Sequence, residues 1–254
     1  RRLSILDTGD GANQPFLMGE DALVFNGEVY NYLELRRELE AAGAHRFSTS
    51  GDTEVVLAAL RHWGLDGAIR RFNGMFAFAW WSASERRLAL VRDRLGIKPL
   101  YWHQTPQGTL VFASEMRALM ASAKVPRKIE TKAISDQWMY GTVHAPATIV
   151  ADVHMLEPGG MLLVHDEELR LAQWWDPADE ALGEPTLEAP ARRQRIRDLL
   201  SDAVALRMRS DVAYGAFLSG GIDSSAVVGL MSEVSSQPVS TFSVTFAEKE
   251  LDES

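Results

Sequence analysis

Residues 213–231 most restrict what this chain can fold into. Ala213-Tyr214-Gly215-Ala216-Phe217-Leu218 is short and mostly apolar, as a buried parallel strand would be. Ser219-Gly220-Gly221-Ile222-Asp223-Ser224-Ser225 follows. Ala226-Val227-Val228-Gly229-Leu230-Met231 then reads as the opening turns of a helix, with Ser224 or Asp223 as its cap. In a strand, glycine turn and helix, the paired glycines let successive N–H groups converge where the helix presents its positive end. That makes an anion cradle suited to phosphate. A Walker P-loop is excluded, because it needs a lysine after a longer glycine loop. No lysine lies between Arg209 and Lys249.

The bulk composition narrows the rest. At 254 residues the chain can bury a substantial core in one or two domains. A net charge of −9 gives no support to broad electrostatic binding of nucleic acid, which needs a basic face. No apolar run approaches the roughly 20 residues of a membrane span. No signal peptide heads the chain, so the cytoplasm is the expected compartment, with no membrane partner. The cysteine count is zero, which excludes disulfides, thiolate metal sites and a cysteine nucleophile within these residues. The chain opens on Arg1 rather than Met and stops at Ser254 just after a strand-like run, so a piece of a longer protein is expected.

In order, Arg1 to Asp7 reads as a short strand before a glycine-rich turn at Thr8 to Gly11. Ala22 to Phe25 is an apolar strand ending at Asn26-Gly27, a tight-turn signal. Asn31 caps a predicted helix from Tyr32 to Ala42, closed by Gly43. A second helix is predicted from Asp52 to Trp63, stopping at Gly64, with Ser50 and Asp52 as cap candidates. Strand-like runs follow at Met75 to Trp81, Arg87 to Val91, Leu100 to His103 and Leu110 to Ala113. Short helices near Glu115 to Ala121 and Ala133 to Tyr140, and strands at Gly160 to Val164 and Leu169 to Trp174, complete a layered α+β domain. Asp176 to Pro190 is proline-rich and acidic and reads as a linker. Arg192 to Met208 has helical spacing, its arginines simplest as a solvated face. With the strand Val239 to Phe246 beyond it, the second part reads as the start of a doubly wound parallel α/β sheet. The six histidines show no metal-ligand spacing, and the seven tryptophans read as core and interface anchors.

Ser219 to Ser225 resembles the pyrophosphate loop of the ATP pyrophosphatases, which cleave ATP between its α- and β-phosphates and adenylate a substrate oxygen. Five further segments, in order, resemble the class II glutamine amidotransferase domain of asparagine synthetases. They are Arg1-Arg2-Leu3-Ser4-Ile5, Asn26 to Asn31, Gly51-Asp52-Thr53-Glu54, Phe72 to Phe78, and Arg92 to Tyr101. The resemblance covers nearly the whole chain. It implies an αββα, N-terminal-nucleophile-type glutaminase domain over 1–175 and a linker over 176–190. From 191 to 254 it implies the start of a doubly wound parallel α/β ATP-pyrophosphatase domain.

That family hydrolyses glutamine with an amino-terminal cysteine whose thiol attacks the side-chain amide. The resemblance implies that Asn26 and Gly27 form the oxyanion hole. It assigns Arg2 to glutamine's α-carboxylate, and Asp52 to its α-ammonium with help from Glu28. A helix cap is the plainer role for Asp52, and it could do both. Ammonia then passes to a site where ATP activates the β-carboxylate of aspartate. The implied ATP contacts are Leu218, Ser219, Gly220, Gly221, Asp223, Ser224 and Val244, with Asp223 holding Mg2+. Leu218 and Val244 read equally as core residues. Arg92 to Tyr101 is expected to stabilise the fold rather than to act in catalysis.

The implied substrates are glutamine, aspartate and ATP, and relatives often form homodimers. The catalytic cysteine and its His-Arg-Gly-Pro stretch, which precede the Arg2 segment in the family, are absent from these residues. A complete reading frame is expected to open with Met-Cys. Also missing past Ser254 is the family's substrate-binding part, and Ala213 stands where relatives often have proline. Two other readings stay open at this point. One is an amidotransferase of the same architecture acting on another carboxylate, as in β-lactam synthetase-like or surface-polymer-modifying relatives. The other is a degenerate, non-catalytic interaction protein, against which the intact Asn26-Gly27, Arg2 and phosphate loop all argue.

Overall fold

The computed structural model describes residues 5–166, 168–180 and 187–246. They form two compact units, one of residues 9–180 and one of residues 5–8 with 187–246. No helix among the described residues is long and apolar enough to cross a membrane.

The first unit begins with β1 (Phe16–Met18), which turns at Gly19 into β2 (Asp21–Val29). Helices α1 (Tyr32–Ala41) and α2 (Asp52–Arg71) follow, then β3 (Gly74–Ser82) and β4 (Arg87–Arg92). Next come β5 (Tyr101–Gln104), β6 (Leu110–Ala113), α3 (Met116–Ala121) and α4 (Thr131–Tyr140). The unit closes with β7 (His154–Met155), β8 (Gly160–His165), β9 (Glu168–Gln173) and α5 (Pro177–Glu180). The larger sheet runs β1-β2-β3-β4-β8-β9 and the smaller β6-β5-β7, all pairs antiparallel.

Strand alternation sorts the layers. On β3, Phe76, Phe78 and Trp80 are buried on one face, opposite Gly27, Phe25 and Leu23 of β2. Ala77 and Ala79 point the other way and pack with Leu90 and Leu162 against Leu100, Trp102 and Leu156 around the smaller sheet. Beyond that sheet, Leu119 of α3 packs with Val125, Val153, Tyr101 and Val111. Helix α2 lies on β1 and β2, with α1 beside it. Helix, sheet, sheet and helix are thus stacked as αββα.

The structure corrects several sequence expectations. Residues 1–4 of the predicted first strand lie outside the described residues, and Ile5 to Thr8 form no strand. The Asp7 amide instead donates to Asp211 Oδ2 at 2.8 Å, within the second unit. Asn26-Gly27 is not a turn, because β2 runs straight through it. Gly27 has φ of +147°, which glycine adopts without cost, and a Cβ there would lie 2.0 Å from the Met75 carbonyl oxygen. Glycine is required at this point by close strand approach, not by chain reversal. Asn31 stands at the α1 N-cap but makes no capping bond. Its side chain spans to the start of β3, donating to Arg71 O and accepting from Asn73 N, both at 2.9 Å. Helix α2 kinks at Gly64 (φ 71°, ψ 175°) and resumes, because Leu65, Ala68 and Ile69 offer another buried turn.

Asp93, just past β4, is 1% exposed and fully used. Its Oδ1 accepts from the amides of Leu95 (3.1 Å) and Ile97 (2.9 Å), and its Oδ2 from those of Phe76 (3.1 Å) and Lys98 (2.9 Å). Neighbouring Arg92 donates to the carbonyls of Lys98, Gly96 and Leu156, and Arg94 to those of Phe72 and Arg70. These bonds fold the 92–98 segment onto the strand ends.

In the second unit, α6 (Ala189–Arg207) starts inside the predicted linker, because Pro190 fits the first turn of a helix. Strand β10 (Ala216–Phe217), α7 (Ile222–Val234) and β11 (Thr241–Phe242) follow. β10 and β11 pair in parallel, in register Ala216↔Thr241 and Phe217↔Phe242, as the strand–helix–strand pattern requires. Both are shorter than predicted.

Replacing Asp93 with Asn should cost about 3 kcal/mol or more, since one acceptor oxygen and an NH2 group would then face four converging N–H donors around a buried side chain. Urea unfolding of Asp93→Asn should show a lower midpoint with an unchanged slope.

Candidate functional sites

The first candidate site is the outer edge of β2. Antiparallel residues alternate in the direction of their backbone groups. The amide and carbonyl of Phe76 are both taken by Asp93 on the β4 side, and Tyr30 N donates to Asn73 O at 2.8 Å. Residues 26, 28 and 30 therefore face β3, and residues 25, 27 and 29 face away. The Phe25 amide donates to Gln14 Oε1 at 2.7 Å and the Val29 amide to Asp52 Oδ2 at 2.9 Å. The Gly27 amide points the same way between them, off the β3 ladder. Asn26 is half-buried beside it.

Asp52 is 4% exposed at the first residue of α2. The N-cap is Gly51, so neither Ser50 nor Asp52 holds the capping position. Asp52 instead anchors the strand edge through the Val29 amide. Gly27 and Val29 are two strand residues apart, about 7 Å. An extended glutamine spans about 6 Å from its α-nitrogen to its side-chain oxygen. Glu28 is buried, and burial raises its pKa, with the Lys98 ammonium offsetting part of the rise. Arg2 lies outside the described residues.

Glu54, in the first turn of α2, is a buried acid beside Asp52 to which the sequence alone assigns no role. Its carboxylate accepts from the amides and hydroxyls of Ser48 and Thr49 and from His45 Nε2, at 2.7–3.2 Å. Burial alone would raise its pKa, but the bonds from His45, Thr49 and Ser48 outweigh that and lower it. The only signal in the sequence was its place two residues after Asp52.

The second candidate site is the turn between β10 and α7. The N-cap of α7 is Gly221, not Asp223 or Ser224. Ser224 works inside the turn, where its Oγ lies 3.1 Å from Ser219 O and 3.2 Å from Gly221 O. The same hydroxyl is within 3.2 Å of the Ser219 amide and 3.0 Å of Ser219 Oγ. Gly221 N donates weakly to Ser219 Oγ at 3.3 Å, and a Cβ on Gly221 would meet that oxygen at 3.2 Å. Side-chain hydroxyls thus meet the Ser219 and Gly221 amides from within the turn. Leu218 donates to Phe242 O, while Val244 is 64% exposed and so is not core. Asp223 is exposed in the first turn of α7. Among the described residues no group of three or more His, Asp or Glu side chains could hold a metal by itself.

Residues 1–175 match the family model described as a glutamine amidotransferase domain. The chain belongs to that family. Residues 195–254 match the model described as asparagine synthase. Among curated relatives, asparagine synthetase (glutamine-hydrolyzing) 1 of Bacillus subtilis strain 168 is 39% identical over 253 residues, covering 98% of this chain and 38% of that protein. Asparagine synthetase (glutamine-hydrolyzing) 2 of the same organism is 37% identical over 256 residues, covering 96% and 33%. The chain therefore spans well under half the length of either. Among solved structures, the glutamine phosphoribosylpyrophosphate amidotransferase from B. subtilis complexed with ADP and GMP matches with a TM-score of 0.49 and 19% identity, covering 95% of this chain and 50% of that one.

Within this glutamine amidotransferase domain Glu28 offers a pH test. Its folded pKa is raised, so its contribution to stability is full below the unfolded value and is lost as pH rises through the folded one. Glu28→Gln should therefore melt above the parent at pH 8. The two melting curves should converge near pH 4.

Proposed function

We propose that this chain serves in the ATP-dependent conversion of aspartate to asparagine, with ammonia taken from glutamine. The observation that carries the reading is the edge of β2. There the Gly27 amide is directed away from the β3 ladder, beside Asn26 and two strand residues from the Val29 amide that donates to Asp52. Asn26 and Gly27 would stabilise the tetrahedral oxyanion formed on the side-chain amide. Arg2 would hold the α-carboxylate, and Asp52 the α-ammonium with Glu28. The 254 residues hold no cysteine, so the attacking thiol must come from outside them. Attack would give a thioester and release ammonia, and water would then free glutamate.

In the second unit, Ser219, Gly220, Gly221 and Ser224 would receive the pyrophosphate end of ATP, with Leu218 and Val244 against the nucleotide. A phosphate oxygen would replace hydroxyl contacts already aimed at the Ser219 and Gly221 amides. Mg2+ bound to phosphates commonly takes only one or two protein carboxylates, and Asp223 could supply one. The β-carboxylate of aspartate would attack the α-phosphorus and expel pyrophosphate. Ammonia would then displace AMP from the aspartyl-adenylate, giving asparagine. The matching domain division is 1–175 for glutamine hydrolysis, 176–190 as linker and 191–254 as the start of the synthetase part.

With the full-length protein, AMP release in the presence of glutamine and ATP should depend on aspartate. Equal release with other carboxylates would move the acceptor away from aspartate and leave the adenylating chemistry in place. The isolated 254-residue chain should release no glutamate from glutamine above a buffer blank.

A further inference from the structure

Glu54 belongs to neither candidate constellation, yet it is 2% exposed and receives five donors from a single segment. An isolated carboxylate at that depth would be costly, so so complete a set of partners marks a fixed point in the fold. The donors come from His45, Ser48 and Thr49, immediately upstream of Gly51 and Asp52. The same segment is gripped from α1, where Arg36 donates to Thr49 O at 2.8 Å and lies 4.6 Å over the Phe47 ring. His45 packs edge-on against Phe47 at 4.8 Å. Beyond this clasp the chain enters α2 at Asp52, whose Oδ2 meets the Val29 amide on the edge of β2. The backbone before Asp52 and the helix turn after it are thus tied together by one side chain.

We propose that Glu54 is a positioning residue for Asp52, holding that carboxylate in register with the Val29 and Gly27 amides. Its part in glutamine recognition rests on the reading of Asp52 given above. Glu54 itself touches no substrate. It closes the 45–49 segment over the start of α2 so that the Asp52 side chain has one place to go. Loss of the clasp would let Asp52 withdraw from β2 while the sheet and both helices persist.

The Val29 amide reports the position of Asp52 directly. In amide hydrogen exchange on this chain, Glu54→Gln should speed exchange at Ser48, Thr49 and Val29 at least tenfold. Thr148→Val, which removes a buried hydroxyl bonded to Val150 O and Val153 O, should leave Val29 unchanged and so controls for general loosening. Faster exchange at Ser48 and Thr49 with Val29 still protected would overturn the proposal, as would equal loosening of Val29 by Thr148→Val. If Glu54→Gln fails to fold, Thr49→Val removes one donor hydroxyl and should give a smaller shift at Val29. An unmoved Val29 there also counts against the proposal. A parallel glutamine titration of the full-length protein separates the two levels, since Asp52→Asn and Glu54→Gln should each weaken binding about tenfold. If Val29 responds but Asp52→Asn leaves glutamine affinity unchanged, the positioning role stands and the ammonium-binding role of Asp52 falls.

Discussion

The four N–H bonds to Asp93 set the geometry on which the first unit depends. A carboxylate buried without partners would be driven to its neutral form. Here two oxygens meet four converging amides, and the group serves as a fixed corner between β4, the 95–98 turn and the start of β3. One consequence reaches across the sheet. Because Asp93 takes both backbone groups of Phe76, that residue has none left for β2, and its partner Gly27 must direct its amide outward. The direction of a candidate catalytic donor is thus decided two strands away.

Glu54 repeats the same physics on the helix side. Both acids accept from backbone amides of a turn that lacks regular hydrogen bonding, and both replace water at depth with preformed donors. Such groups are poor candidates for chemistry, because their lone pairs are already spent. Asp52 meets the Val29 amide on the strand edge, and the Lys98 ammonium acts on the buried Glu28.

How much of this is legible in the sequence follows from what each element depends on. Leu110–Ala113 is found to the residue because its apolar run is bounded by turn residues, and the order of helices and strands in the first unit follows from periodicity in the same way. Asn26-Gly27 is found as a motif but misread as a turn. Its glycine answers to the Met75 carbonyl across the sheet, a contact with no local signature. Likewise β1 and β7 are too short to show a period, and they exist only because β2 and β5 offer edges. Gly64 looks like a stop and is a kink, because the decision to resume lies with the buried face of Leu65, Ala68 and Ile69. The roles of Asp93 and Glu54 could not be read locally. Each is one acid among 35 acidic residues until the turns that surround it are folded.

The phosphate-like turn of the second unit shows why a motif and a formed site differ. Its glycines and serines are all present, and the strand, turn and helix are in place. Its amides are nonetheless satisfied from within, by Ser224 Oγ at Ser219 N and by Ser219 Oγ at Gly221 N. Those contacts are 3.2–3.3 Å long, at the weak end for hydrogen bonds, whereas a charged phosphate oxygen forms shorter and roughly twice as strong bonds to the same donors. The serines therefore keep the loop shaped from within, and in the reading proposed above they would yield to a phosphate oxygen. Alanine at Gly221 would place its Cβ 3.2 Å from Ser219 Oγ, so the serine would have to give way. Glycine there serves the closeness of the turn, as Gly27 serves the closeness of two strands.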